Sequence, residues 1–207
     1  MDIKEAYNNW SQQYDTNENR TRDLEAHALR TILPCIDFKN VLEIGCGTGK
    51  NSLWLITKAA NITAVDLSEA MLAKAKAKID SDAINFIQAD IAAGWNFAEQ
   101  GYDLVTCSLV LEHIQNLDHI FREVSKYLMP GGHVYIGELH PFKQYTGSKA
   151  RFETEQGTHV VDCYDHHISE FVQTAKKHGL LIVDVNEFFD EGQTAIPRII
   201  TLLFKKQ

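Results

Sequence analysis

Apolar positions repeat with a helical period at the start of the chain, then switch to short buried runs separated by helical ones. In "RDLEAHALRTIL" (22–33) Leu24, Ala28, Leu29 and Ile32 share one face and Pro34 closes the segment, which predicts a helical lead up to Leu33-Pro34. "NVLEIG" (40–45), "NITAVD" (61–66), "AINFIQAD" (83–90), "YDLVTCSLV" (102–110) and "HVYIGEL" (133–139) read as strands. Between them, "KNSLWLITKAA" is helix-like, and Ser68 caps a helix with Met71, Leu72, Ala75 and Ile79 on one face. "NLDHIFREVSKYL" aligns Ile120, Phe121, Val124 and Leu128, and Pro130-Gly131-Gly132 is expected to end it.

Strands alternating with helices predict an α/β fold with right-handed crossovers and a doubly wound, mostly parallel sheet. Such sheets bind ligands outside the carboxyl ends of their strands. After the fifth strand the rhythm breaks. Residues 140–165 form a long connection holding Gly147 and a hairpin-like "EQGT" turn. A helix follows with Ile168, Phe171, Val172 and Ala175 on one face and Gly179 as its stop. "LLIVDVNEFF" and "RIITLLFKK" then close the chain, and the link between them is too short for a crossover helix. They are expected to pair antiparallel.

Composition narrows the partners. The chain has 207 residues, 44% of them hydrophobic and 23% charged, as expected for one globular domain. Its net charge is −8 and its basic runs stop at pairs such as Lys176-Lys177, so nucleic acid is not the expected partner. Cys35, Cys46, Cys107 and Cys163 are scattered and read as reduced thiols. No apolar run approaches membrane-spanning length and the start lacks a signal core, so a cytoplasmic protein without a membrane partner is expected.

The chemistry concentrates in "VLEIGCGTGKNS". A P-loop requires G-x-x-x-x-G-K-[ST]; with Gly49-Lys50 as its second anchor, Ile44 and Asn51 fall where glycine and a hydroxyl are needed. The dinucleotide pattern G-x-G-x-x-G starts at Gly45 and Gly47 but meets Lys50 at its third position. Glu43, on the strand entering the turn, would repel a pyrophosphate and attract a cationic ligand. S-adenosylmethionine, with an amino group and a sulfonium, suits that charge. Asp66 at the tip of the second strand has the acceptors for a ribose diol. Asp90 and Ile91 after the third strand offer an acceptor and an apolar surface to an adenine.

"VLEIGCGTG", "ITAVDLSEAML", "INFIQADI", "YDLVTCSLVLEHI" and "LMPGGHVYI" together resemble the successive motifs of class I S-adenosylmethionine-dependent methyltransferases, in the small-molecule branch that includes ubiquinone/menaquinone-type enzymes. The resemblance covers residues 38 to 139. It implies a seven-stranded Rossmann-like sheet with the last strand antiparallel. It also assigns Gly45, Gly47 and Gly49 to the donor's methionine part, Asp66 to the ribose, and Leu67, Asp90 and Ile91 to the adenine. Ser108, ending the fourth strand, is counted with the donor site. "YNNWSQQYD" resembles the lead helix that folds over the donor in such enzymes. Tyr14 reads there as a gate or as an aromatic anchor, and Arg22 as a partner for the donor's carboxylate or a solvated helix start.

Methyl transfer from a sulfonium is an in-line displacement that depends on positioning and exclusion of water, with a base needed only for a protonated nucleophile. "CSLVLEH" lacks the N/D-P-P-[YF] of enzymes that methylate adenine or glutamine amino groups, has no Pro-Cys for cytosine chemistry, and lacks the aspartates of magnesium-dependent catechol enzymes. The expected acceptor is therefore an O or N atom of a small molecule, with no metal. The connection after the fifth strand is expected to bind it through His140, Lys143, Tyr145, Arg151, His166 and His167, with His113 nearby; His140 is the base candidate. The expected organisation is one domain over residues 1–207, with a helical lid (1–35), donor core (38–139), acceptor-site insertion (140–167), and final helix and strand pair (168–207). The alternative is a non-catalytic domain that binds S-adenosylmethionine or S-adenosylhomocysteine as a sensor or partner subunit.

Overall fold

The computed structural model describes residues 3–99, 101–154 and 157–207, and the side chains of 151–154, 158 and 159 also lie outside the described set. Two helices lead, α1 (Ile3–Trp10) and α2 (Arg20–Ile32), and α2 runs into a 3-10 turn at Leu33–Cys35 where Pro34 removes the next helical donor. The strands β1 (Asn40–Ile44), β2 (Asn61–Asp66), β3 (Ile84–Gln88), β4 (Tyr102–Ser108) and β5 (Leu128–Leu139) follow in sequence. Among them lie α3 (Ser52–Leu55), α4 (Glu69–Lys78) and α5 (Leu117–Tyr127). After β5 come α6 (Pro141–Tyr145), the hairpin strands β6 (Arg151–Thr154) and β7 (Gly157–Val160), α7 (Ile168–Lys177), β8 (Leu180–Phe188) and β9 (Ile199–Lys206).

One seven-stranded sheet runs β3-β2-β1-β4-β5-β9-β8. Pairs from β3 to β5 are parallel, whereas β9 is antiparallel to both β5 and β8, as expected for the closing pair. The chain winds outward from β1 in one direction and restarts at β4 in the other, so the carboxyl ends of β1 and β4 border the crevice where this topology binds ligands.

Alternation along β1 sorts two cores. Leu42 and Ile44 join α5 and α7 side chains such as Phe121, Val124 and Phe171 on one face. Val41 turns to the other face with Leu29 of α2, Leu55 of α3 and Leu72 of α4. Glu43 has the same parity as Val41, and so faces α2 and α3 from beneath the glycine turn. A third cluster, Ala6, Trp10, Met71 and Val161, seats α1 on α4.

Two elements depart from the sequence pattern. The α5 helix ends at Tyr127, and Pro130-Gly131-Gly132 lie inside β5, where a register shift between Tyr102↔Leu128 and Leu104↔His133 absorbs the extra residues. Met129, which precedes the proline, is pushed toward extended backbone. The helix after the glycine turn keeps only four regular residues. In the insertion, β6 and β7 pair as an antiparallel hairpin, while Glu155 and Gln156 of the expected turn lie outside the described residues.

Candidate active site

The turn after β1 is built to expose backbone. Gly45, Gly47 and Gly49 all have positive φ (69°, 54° and 81°), which favours glycine strongly. Their surroundings differ. A Cβ on Gly45 would sit 2.7 Å from Val110 Cγ2 and one on Gly49 would sit 2.9 Å from Ile79 Cδ1, whereas Gly47 has nothing within 4 Å. Gly45 and Gly47 line ligand-sized space; Gly49 turns to α4 and serves packing. Lys50 reaches back to Asp23 of α2 as an ion pair.

Asp66 ties the loop to the second strand. One carboxylate oxygen accepts from Gly47 N and the other from Ser68 N, both at 2.8 Å. Burial raises its pKa while these amides oppose the shift. Glu43 is buried beneath the turn, where Ser52 Oγ donates to its Oε2 at 2.5 Å. Burial pushes Glu43 up to about 8, and the nearby Glu25 and Asp66 carboxylates act in the same direction.

A cavity of about 240 Å³ opens at these strand ends, lined by Gly45, Gly47, Asp66, Leu67, Asp90, Ile91 and Ser108 together with Tyr14. These are eight of the sequence-predicted donor residues. His113, expected on the acceptor side, lines this cavity too, as do Met71, Val110 and Ile114. A second cavity of about 40 Å³ continues beneath the loop, where Glu43 and Arg22 join Gly45, Gly47, Tyr14 and Ser108. The apolar walls, a carboxylate at the end of β2 and the acid beneath the turn fit an adenosine with a cationic tail. Leu109 lines both spaces with φ +54°, a conformation a leucine rarely adopts, held by its N–H on the Gly137 carbonyl at 2.8 Å.

The lead helices cover this crevice. Asn8 Oδ1 accepts from Ser68 Oγ at 2.6 Å, and Asp15 joins Thr48 of the glycine turn (2.6 Å) to Lys78 of α4 (2.8 Å). The Arg22 guanidinium stacks 5.3 Å from the Tyr14 ring centre and donates to the carbonyls of Tyr14 and Asn17. Tyr7, Tyr14 and Leu109 separate the donor-type cavity from a third space of about 560 Å³. Arg20, Arg22, Glu112, Lys149 and Arg198 give that space a mixed charge.

The acceptor residues expected from sequence are dispersed. His140 is 1% exposed and caps α6: its Nδ1 accepts from Phe142 N at 3.2 Å and its Nε2 bonds Glu187 at 3.0 Å. Both nitrogens are engaged and the ring lines none of these three cavities, so the geometry sets His140 apart from the spaces where a donor and an acceptor would meet. His166 is likewise buried between Ile114 O (2.8 Å) and Glu170 (3.1 Å). Tyr145 and His167 bond each other at 2.6 Å on the surface, and they and Lys143 line none of the three spaces. The side chain of Arg151 lies outside the described residues. The insertion instead reaches the large cavity through Ser148, Lys149 and Ala150.

Four buried acids escaped the pattern: Glu25 on α2, Glu112 after β4, Glu123 on α5 and Glu138 on β5. Glu138 Oε1 accepts from Val110 N (3.0 Å) and Leu111 N (2.8 Å) and so shapes the turn that ends β4. Glu112 lines the large cavity, while its Oε2 is buried beside Cys163 with no partner of good geometry among the described residues. Glu112, His113 and Cys163 bring ligand-type atoms within 4.8 Å of one another. Here His113 spends Nε2 on Tyr7 (2.7 Å) and Nδ1 on the Asp162 carbonyl (2.9 Å), leaving its ring no free lone pair for a cation.

A sheet of this order with an acid-floored glycine turn and an adenosine-sized crevice defines a class I methyltransferase fold with a nucleoside-type donor site. The comparisons agree. A family model described as a methyltransferase domain matches residues 42–136. A ubiquinone biosynthesis O-methyltransferase of Coxiella burnetii is 30% identical over 155 residues, 71% of this chain and 65% of that protein. Its counterpart in Hydrogenovibrio crunogenus is 31% identical over 144 residues, 68% and 59% of the two chains. The matches thus span less than two thirds of these relatives. A Listeria monocytogenes structure described as an S-adenosylmethionine-dependent methyltransferase superposes with a TM-score of 0.75 at 25% identity, covering 89% of this chain and 99% of that one. An N-methyltransferase of Bradyrhizobium japonicum in complex with S-adenosylhomocysteine shares the fold at a TM-score of 0.70 and 17% identity, over 97% and 98% of the chains. The chain belongs to the class I S-adenosylmethionine-dependent methyltransferases.

Proposed function

We propose that this chain methylates an O or N atom of a small molecule held in the 560 Å³ cavity, using S-adenosylmethionine in the crevice next to it. The observation that carries this reading is the shared wall. Tyr7, Tyr14 and Leu109 line both spaces, so a donor and an acceptor would meet across them. When bound, the donor supplies an electrophilic methyl on a sulfonium. The protein's part is then positioning and exclusion of water. Asp66 would accept the ribose hydroxyls, Leu67 and Ile91 would flank the adenine beside Asp90, and α1 with Tyr14 would shield the crevice. The volume of the large cavity suits a metabolite of drug-like size.

Glu112 takes the place of His140 as the proton-accepting group in this reading, because it is a buried acid that lines that cavity. The sheltered second space also favours an enzyme over a bare sensor of the donor. Among the described residues no helix is long and apolar enough to cross a membrane. A screen with methyl-labelled donor against metabolite pools tests the proposal. Label transferred to a small compound, and lost in Glu112→Gln with donor binding retained, is the expected result. Donor binding without transfer to any pool would favour the sensor reading.

A further inference from the structure

The 560 Å³ cavity concentrates cations in an acidic chain. Its lining takes four of the 20 lysines and arginines but only two of the 28 aspartates and glutamates, in a protein of net charge −8. The four cations are not equally committed. Arg22 is tied to Asp23 and to the carbonyls of Tyr14 and Asn17. Arg198 forms a fork with Asp190, Nε to Oδ1 at 2.5 Å and Nη2 to Oδ2 at 2.7 Å, and its Nη1 donates to Thr21 Oγ1 at 3.1 Å. A guanidinium has five N–H donors, so with three spent Arg198 keeps two without a partner among the described residues. Arg20 pairs with Glu18 at 3.3 Å, but the two side chains are 73% and 79% exposed and such a contact is worth little in water. The Lys149 side chain has no ion pair or hydrogen bond among the described residues.

These groups converge from distant parts of the chain. Arg20 opens α2, Lys149 belongs to the insertion, and Arg198 precedes β9, where its carbonyl accepts from His140 N at 2.8 Å. Arg198 holds the Asp190 carboxyl below the ordinary carboxylate range, and Lys143 and Arg20 act in the same direction against burial. Asp190 does not itself line the cavity, so it anchors Arg198 from behind. Of the two acids in the lining, Glu18 is exposed and Glu112 is buried, which raises its pKa toward the neutral form. An arginine pinned by one carboxylate and left with spare N–H groups is preorganised for a second oxyanion. The lid contributes an apolar wall: Tyr7, Trp10 and Tyr14 follow at helical spacing, with the Trp10 ring 5.5 Å from Tyr7 and 5.0 Å from Tyr14.

We infer that the methyl acceptor is a small organic anion whose oxyanion, a carboxylate or a phosphate, is held by Arg198 with Lys149 and Arg20 while its body lies against Tyr7, Trp10 and Tyr14. The inference rests on the reading of this cavity as the acceptor site and names the chemical class that the site selects. A neutral compound of the same shape would leave the spare donors of Arg198 and Lys149 unpaired and so binds less well.

Calorimetry on the protein saturated with S-adenosylhomocysteine, with benzoate, phenyl phosphate and the neutral benzamide as probes, tests this. The wild type should bind at least one of the anions roughly 10- to 100-fold more tightly than benzamide, the range for a charge-assisted bond. Which anion it prefers separates a carboxylate from a phosphate. Lys149→Glu, at an exposed position, should lower the preference without unfolding the protein, and Arg198→Ala should abolish it. Equal affinity for all three probes, no binding of either anion, or a preference unchanged in both variants would overturn the inference. The labelled-donor screen separates this result from the reading beneath it. Transfer only to uncharged compounds would leave methylation standing and overturn the anion site, whereas anion preference without transfer to any pool would overturn methylation and keep the anion site.

Discussion

The Tyr7 hydroxyl and His113 Nε2 lie 2.7 Å apart, joining the lid helix α1 to the turn after β4. The other ring nitrogen, Nδ1, faces the carbonyl oxygen of Asp162 at 2.9 Å, and a carbonyl only accepts. Nδ1 therefore bears the proton and Nε2 accepts from Tyr7. Burial keeps that hydroxyl protonated by raising its pKa well above the ordinary value. The chain lid–histidine–insertion orders the wall shared by both cavities.

That pairing predicts unequal costs for its two ends. Tyr7→Phe removes one donor and should destabilise by about 0.5–1.5 kcal/mol. His113→Ala leaves a buried hydroxyl and a carbonyl unsatisfied and should cost more, about 1–3 kcal/mol beyond its lost packing. In urea unfolding the double variant should cost less than the sum. Strict additivity would show that the two groups do not act as a pair.

Glu43 predicts proton release on donor binding. Its carboxyl is raised from 4.5 to about 8 in the folded protein, so the folded state holds a proton the unfolded state has lost through that window. Stability from this group is full below about pH 4.5, falls as pH rises, and levels off above about 8. A cationic ligand beside it favours the ionised form, against Glu25 and Asp66, which favour the neutral one. At pH 7 binding of S-adenosylmethionine should therefore release up to about one proton. Calorimetry in buffers of different ionisation enthalpy reads it, and a heat independent of buffer would contradict it.

The three glycines of the turn predict different penalties. All three would strain with a side chain at positive φ, at about 1–2 kcal/mol. Gly47→Ala adds no clash. Gly49→Ala would also push on Ile79 and Ala75 and should lose a further 1–3 kcal/mol, roughly, in thermal or urea unfolding. Because Gly49 faces α4, that loss should come with little change in donor affinity once the protein is folded.

How far these features are legible in the chain depends on what each pattern encodes. Periodicity reports which face is buried, so the strands, the Ser68 cap and the antiparallel β8–β9 pair can be read from the spacing of apolar residues. Electrostatics reports what a loop can tolerate, so Glu43 and Asp66 point to the ligand class. Glu25 is readable in part: it falls on the stripe with Ala28, Leu29 and Ile32, and a carboxylate there needs partners. The acceptor side is not. Tyr7, Glu112 and Arg198 meet at one cavity from distant parts of the chain, and only the fold brings them together. Proximity in sequence to β5 suggests His140, but the chain turns at Pro141 and directs that ring to Glu187.

His140 thus supplies the sharpest contrast between sequence and structure. As a base it would be indispensable to turnover; as a cap it contributes to the folding of α6 and to the seam with β8. Removal of a cap typically costs about 0.5–2 kcal/mol. Burial lowers the pKa of His140 against the raising effect of Glu187, which favours a neutral ring and suits an Nδ1 that accepts and an Nε2 that donates. His140→Asn retains a side-chain acceptor for Phe142 N and should recover most of the stability lost in His140→Ala. Neither variant should change affinity for S-adenosylhomocysteine by more than about threefold, roughly 0.6 kcal/mol. Chemical denaturation and calorimetry on the pair decide it: equal stability of the two variants, or a large loss of donor affinity in both, would refute the capping role.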